Sequence, residues 1–180
     1  MLIRREQSLL LVVDIQEKLA PAILNAEAVV ANAAKLIQAA QHLQVPILAS
    51  EQYPKGLGRT VSALRSLLPA AALFEKTHFS CLGEPGVADR LHQFQRRQII
   101  VCGMEAHVCV LQTAMDIKAT GFTTMVIADA VSSRRAESRD MGIARMRDAG
   151  VEIVSTEMVL FEWIAQAGTP EFKALLPLIK

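Results

Sequence analysis

The chain has 180 residues, with 19 Lys and Arg against 18 Asp and Glu, 52% hydrophobic side chains and 4% aromatics. That length lets one ordinary domain build a core without disulfides or a structural metal, so residues 1–180 are read as a single domain. A formal net charge of +1, with both signs interspersed, offers no concentrated basic face for nucleic acid or an acidic membrane surface. No apolar run approaches the ~20 residues of a membrane-spanning helix: the run at 9–13 ends at Asp14, and the Ala-rich stretch from Ala26 is broken by Asn32 and Lys35. Arg4 and Arg5 before that first run imitate a signal peptide, but the long apolar segment and small-residue cleavage site are missing, so it is read as a strand. Three cysteines, Cys81, Cys102 and Cys109, fit neither a disulfide framework nor a zinc spacing, which points to a reducing, cytoplasmic location.

Short β-branched runs alternate with longer amphipathic stretches, the sequence form of an α/β fold. Residues 8–13 make the first strand. A helix follows over 26–43, with Val30, Ala33, Ala34, Ile37 and Ala40 at spacings of three and four. Residues 46–50 are the second strand, and 51–59, with Pro54, Gly56 and Gly58, are read as a loop leading into a short helix at 61–67. Residues 73–76 are a short third strand. After Gly83, Pro85 and Gly86 a helix runs to about residue 95, and the fourth strand at 98–102 is ended by Gly103. The spacing then predicts a helix over 107–120 stopped by Gly121, a fifth strand at 123–128, and a helix over 137–149 stopped by Gly150. A sixth strand at 151–155, a helix to 165, and a short helix or tail over 168–180 with two prolines complete the chain.

Apolar runs with few aromatics suit parallel strands covered on both faces, giving a three-layer α/β/α domain. Ligands in such sheets bind beyond the carboxyl ends of the strands. This rule singles out Asp14, residues 51–53, Lys76, residues 103–109 and Asp129. Phosphate-loop, nucleophile-elbow and zinc-helix motifs are missing, and Gly56-Leu57-Gly58 is a lone G-x-G without its third glycine. His42, His78, His92 and His107 show no metal-ligand spacing.

What remains at the strand ends is a carboxylate, an ammonium and a thiol. A free thiol ionises near pH ~8.5 and attacks only as thiolate. Cys109 falls in the first turn of a helix, where the dipole and unpaired N–H groups favour negative charge. Lys76 would lower its pKa further, Asp14 could take its proton, and the same N–H groups could hold an oxyanion. Taken singly, a small thiol between helix and sheet reads as packing and a lone lysine as a solvated charge. The functional reading rests on their joint placement. Cys102, inside a central strand, reads as core, and Cys81, in a polar turn, as a partly exposed incidental thiol. His107 lies two residues from Cys109, a helical spacing that points the two side chains apart.

Five segments, Leu10-Leu11-Val12-Val13-Asp14-Ile15-Gln16, Glu51-Gln52-Tyr53-Pro54-Lys55-Gly56-Leu57-Gly58, Phe74-Glu75-Lys76-Thr77-His78-Phe79, Gly103-Met104-Glu105-Ala106-His107-Val108-Cys109-Val110 and Ala128-Asp129-Ala130-Val131-Ser132-Ser133, resemble the isochorismatase-like hydrolases. The likeness is strongest to the branch called isochorismatase domain-containing proteins, and it runs in order from about residue 8 to 160. It implies a six-stranded parallel sheet of order 3-2-1-4-5-6, with Asp14 as base, Lys76 as the supporting charge and Cys109 as nucleophile. It also implies a cis peptide at Met104–Glu105, with the backbone N–H groups of Glu105 and Cys109 as oxyanion hole. Nicotinamidases of this superfamily carry a D-x-H pair and a further His for zinc after the second strand, where this chain has Ser50-Glu51-Gln52-Tyr53-Pro54-Lys55. The expectation is therefore no metal and no cofactor. Isochorismatases proper cleave a vinyl ether without a cysteine nucleophile, so Cys109 redirects the expectation to a small amide, carbamoyl or related C–N bond. Gln16, Tyr53, Phe79 and Glu105 are the candidates for lining the pocket, on strand-end position. The expected partners are a small-molecule substrate and further copies of the chain, as a dimer or tetramer. The alternative is a non-catalytic interaction or regulatory protein that retains the fold and triad.

Overall fold

In β1 (Ser8–Val13) every residue is buried, because both faces of the strand carry helices. Alternate side chains point to opposite faces. Leu10 and Val12 enter one hydrophobic cluster, while Leu9, Leu11 and Val13 enter the other. A computed structural model describes residues 1–179 and places β1 near the middle of a six-stranded sheet of order β3-β2-β1-β4-β5-β6. All five neighbouring pairs are parallel. The remaining strands are β2 (Ile47–Gln52), β3 (Leu73–Lys76), β4 (Gln98–Met104), β5 (Thr123–Ser132) and β6 (Glu152–Val154).

The crossovers supply α1 (Ala26–His42), α2 (Pro54–Leu57), α3 (Ser62–Arg65), α4 (Val87–Gln93), α5 (Cys109–Ala119), α6 (Ala136–Asp148), α7 (Thr156–Ile164) and α8 (Pro170–Ile179). One cluster joins Leu36 and Ile37 of α1 to Trp163 of α7 and Leu175 of α8; the other joins Leu91 of α4 to Val110 and Ile117 of α5 and Met146 of α6. Helices thus cover both faces. The inward stripe of α1 is Val29, Ala33, Leu36, Ile37 and Ala40, with Val30 and Ala34 half-buried on its flank.

The strands overrun their sequence-based limits at the carboxyl end. β2 continues through Glu51 and Gln52, β4 to Met104, and β5 to Ser132. The added residues include polar side chains whose partners lie elsewhere in the chain, so local hydropathy reads them as loop. Residues 54–57 form one helical turn within the predicted loop, and 170–179 form a helix that contains Pro177. Asp129 sits inside β5 and accepts from the Thr156 N–H (2.8 Å) and hydroxyl (3.0 Å), which ties down the start of α7.

Two glycines permit close approach around the end of β4. Gly103 has φ +134° and runs beside β1 so closely that a Cβ would overlap the Val13 carbonyl. Gly142 of α6 lets that helix lie on the turn before α5, where a Cβ would stand 2.9 Å from His107 Cα. Gly103→Ala therefore combines backbone strain with overlap against a central strand, and is expected to cost about 3 kcal/mol or more. Urea denaturation checks this; a loss below about 1 kcal/mol contradicts the close packing of β4 on β1.

Candidate active site

Three chain segments deliver three reactive groups to one end of the sheet. Asp14 is the first residue beyond β1 and turns its backbone to φ 52°, a left-handed conformation that Asp tolerates better than most residues. Lys76 ends β3, two strands away, and Cys109 begins α5, the helix that follows β4. The side chains of Asp14 and Lys76 are fully buried, and Lys76 Nζ lies 2.8 Å from Asp14 Oδ2. Cys109 is 7% exposed.

The hydrogen bonds around this pair are unevenly distributed. An ammonium has three protons. Lys76 Nζ donates to Gln52 Oε1 (2.5 Å), the His78 carbonyl (3.1 Å) and the Phe79 carbonyl (3.0 Å). Asp14 Oδ1 accepts from the Ser50 hydroxyl at 2.7 Å. Asp14 Oδ2, close as it is to the ammonium, has no donor aligned with it, and is the one such buried side-chain N or O atom among the described residues. The contact is an ion pair out of line for a hydrogen bond. It leaves a charge-compensated carboxylate oxygen with an open lone pair.

Burial pushes the Cys109 thiol up, the negative charge of Asp14 adds to the rise, and the charge of Lys76 opposes them. The sequence reading expected a lowered value. The correction has a physical cause: the ammonium stands against Asp14, and the sulfur is largely out of water. Both effects favour the protonated sulfur.

Cys81 also departs from its sequence reading. It is fully buried in a single 3-10 turn, and its N–H donates to the hydroxyl of Thr113, one helical turn beyond Cys109 in α5. Burial and then Asp14 raise its thiol to about 11, while burial alone raises core Cys102 to about 12.

The candidate lining residues divide by environment. Gln16 is fully buried, with Nε2 donating to the Gln52 carbonyl (3.0 Å) and Gly58 carbonyl (2.7 Å) and Oε1 accepting from the Gln52 N–H (2.8 Å). It braces two segments. Tyr53 and Phe79 are each 55% exposed. Tyr53, Lys55, Glu75 and Glu84 border a cleft of about 260 Å³, whereas a cleft of about 350 Å³ around Arg5 and His42 lies at the opposite ends of the strands. Glu105 Oε2 accepts from the Arg134 N–H and Nε, both at 3.0 Å. The Met104–Glu105 peptide is cis. The backbone N–H groups of Glu105 and Cys109 reach no protein acceptor among the described residues; for Cys109 the first turn of a helix accounts for this.

Sequence reasoning passed over Ser50 and flagged Gln52 only within the span 51–53, without a role; the two hold Asp14 and Lys76. Polar residues two apart at the end of an apolar strand share one face, and that pattern was available as a signal. Glu51, on the other face, is 2% exposed and accepts from the Thr60 N–H (2.7 Å), the Thr60 hydroxyl (2.8 Å), Arg65 (2.9 Å) and Arg59 (3.0 Å). Among the described residues no group of three His, Cys, Asp or Glu side chains could hold a metal ion.

The isochorismatase domain model matches residues 8–158. This chain belongs to the isochorismatase family. Isochorismatase domain-containing protein 2 of Danio rerio is 40% identical over 174 residues, covering 96% of this chain and 86% of that protein. The secreted isochorismatase effector Isc1 of Phytophthora sojae is 38% identical, covering 96% and 84%. A solved structure described as MAR1 ribonuclease from Caenorhabditis elegans superposes with a TM-score of 0.94 at 37% identity, covering 99% of this chain and 92% of that one. The family membership and the strand order 3-2-1-4-5-6 both agree with the resemblance read from the sequence motifs. No helix among the described residues is long and apolar enough to cross a membrane.

In this isochorismatase-family domain Glu51 fastens residues 59–65 to the carboxyl end of β2. Burial raises its pKa, but the Thr60 N–H, Arg59 and the Thr60 hydroxyl outweigh that and hold the carboxyl below its usual 4.5. A lowered carboxyl contributes stability above its ordinary range and loses it as pH falls through the lowered value. Glu51→Gln is expected to cost about 1–3 kcal/mol at pH 7. The deficit should shrink as the pH drops below about 4. Denaturation across pH checks it, and a deficit that is independent of pH contradicts the charged role.

Proposed function

We propose that this isochorismatase-family protein is a thiol hydrolase of small amide, carbamoyl or related C–N bonds, with Cys109 as nucleophile and Asp14 as proton carrier. The observation that carries the reading is Asp14 Oδ2, buried at 2.8 Å from Lys76 Nζ with no donor in line. The Cys109 proton passes to that oxygen as sulfur attacks the substrate carbonyl carbon. Negative charge moves from carboxylate to sulfur and then to the carbonyl oxygen, while the Lys76 ammonium compensates it nearby. The free N–H groups of Cys109 and Glu105 are the donors for the oxyanion.

Asp14 then returns the proton to the leaving nitrogen, the C–N bond breaks, and a thioester on Cys109 remains. Water attacks the thioester, Asp14 takes its proton, the C–S bond breaks, and the proton goes back to sulfur. Each proton and electron pair in this cycle is carried by Cys109, Asp14, substrate or water. Tyr53, Phe79 and Glu105 form the rim that meets the substrate, and Gln16 supports it from behind.

A resting thiol that is raised and nearly buried also suits a non-catalytic module that keeps the triad. RNA hydrolysis, named for the nematode relative, is a different reaction class in which a thiol nucleophile has no part. Self-association belongs to the same proposal: Met158 and Phe161, three apart on α7, are 47% and 45% exposed. Sedimentation of the purified chain above monomer mass is the expected result. A cytoplasmic location is likewise proposed, on three free cysteines.

A screen of small amides, carbamoyl compounds and a short RNA, read by ammonia release and by product analysis, separates the three readings. Cys109→Ala is expected to lower turnover of the best amide by about 10⁴-fold or more with the circular dichroism unchanged. Amide turnover that survives Cys109→Ala contradicts the nucleophile, and RNA cleavage that survives it without any amide turnover contradicts the thiol-hydrolase reading.

A further inference from the structure

Gln52 closes β2 and is 8% exposed. Its side chain is held at both polar atoms: Oε1 accepts from Lys76 Nζ at 2.5 Å, and Nε2 donates to the Thr77 carbonyl at 2.8 Å. Its backbone is held as well, by the Gln16 amide on both the N–H (2.8 Å) and the carbonyl (3.0 Å). The oxygen that faces Lys76 is therefore fixed by three contacts, from the Thr77 carbonyl and from both polar atoms of the Gln16 amide, that take no part in the proposed reaction.

Two of the three ammonium protons go to the carbonyls of His78 and Phe79, in the turn after β3, and the third goes to Gln52. Without that third acceptor, Asp14 Oδ2 is next in reach, already 2.8 Å from the same nitrogen. We propose that Gln52 is a positioning residue that draws the third Lys76 proton away from Asp14, so that Asp14 Oδ2 keeps an open lone pair for the Cys109 proton. This rests on the reading of Asp14 as the base.

Coulomb attraction depends on distance, whereas a hydrogen bond also depends on alignment. Lys76 can therefore compensate the charge of Asp14 without occupying its lone pair, provided its protons are engaged elsewhere. A proton donated straight to Oδ2 stabilises the charged carboxylate and makes it a weaker acceptor. The amide chemistry at position 52 meets this need. A carboxylate there would compete with Asp14 for the ammonium, and an apolar side chain would leave the third proton to Asp14. In the transfer itself the proton leaves Cys109 sulfur and bonds to Asp14 Oδ2, the negative charge passes to sulfur, and Lys76 keeps all three protons.

Alkylation by iodoacetamide reads this step without a substrate: sulfur bonds to the methylene carbon, iodide leaves, and the thiol proton goes to Asp14. Cys81 and Cys102 are fully buried, so peptide mass analysis follows Cys109 alone. Gln52→Met keeps the length and removes the amide oxygen. It is expected to slow Cys109 alkylation at pH 7 by about tenfold or more and to change the pH profile of the rate. Gln52→Asn, which draws the acceptor back by one methylene, is expected to act in the same direction and serves if the Met variant does not fold. Asp14→Asn is the reference. Slowing by both Asp14→Asn and the Gln52 variants supports the proposal. Slowing by Asp14→Asn, with Gln52 variants that lose only thermal stability and keep the wild-type pH profile, overturns it and leaves Asp14 as base. Alkylation unaffected by Asp14→Asn removes the base reading and the proposal with it.

Discussion

The Lys76 ammonium, with its side chain wholly removed from water, is the constraint around which this end of the molecule is arranged. A buried charge costs several kcal/mol unless it is paired and fully hydrogen-bonded. Here the compensation comes from Asp14 beyond β1, Gln52 at the end of β2, and the carbonyls of residues 78 and 79 after β3. One cation thereby ties three strand ends together. The polar overrun of β2 follows from it, since Ser50 and Gln52 project toward the charged pair while Glu51 projects to the opposite face and fastens the following loop.

The same arrangement explains why the fold is needed for the site. Lys76 and Asp14 are separated by one intervening strand, and Cys109 arrives from the far side of β1 only because β4 lies there. Gly103 lets β4 run against β1, and Gly142 lets α6 lie on the turn that presents the helix of Cys109. The sulfur consequently sits beside Asp14 and largely out of water, which favours the thiol over the thiolate. Activation by a neighbouring base, with a fixed cation to follow the charge, fits that environment better than a standing thiolate.

Much of the fold was legible because parallel strands buried on both faces appear as unbroken apolar runs, and β1 and β3 match their sequence limits. The ends of β2 and β5 were not, because their polar residues are satisfied by partners distant in sequence, and β4 runs on through Gly103, which reads as a strand stop. Asp14, Lys76 and Cys109 could be singled out by position, yet their mutual proximity depends on strand order, which periodicity does not encode and the family motifs implied. Cys81 was misread because Ser80 and Gly83 make its turn look polar, while the cover that buries it comes from α5, some thirty residues on. The direction of the Cys109 shift was missed because a helix terminus and a lysine are visible in a sequence, whereas depth of burial is not.

Neutron diffraction from a deuterium-exchanged crystal at neutral pH tests the protonation pattern most directly. The expected map has three deuterons on Lys76 Nζ directed at Gln52, His78 and Phe79, one deuteron on Cys109 sulfur, and none bonded to Asp14. A deuteron on Asp14 with a bare Cys109 sulfur, or a Lys76 deuteron directed at Asp14 Oδ2, would contradict a resting thiol beside an open base.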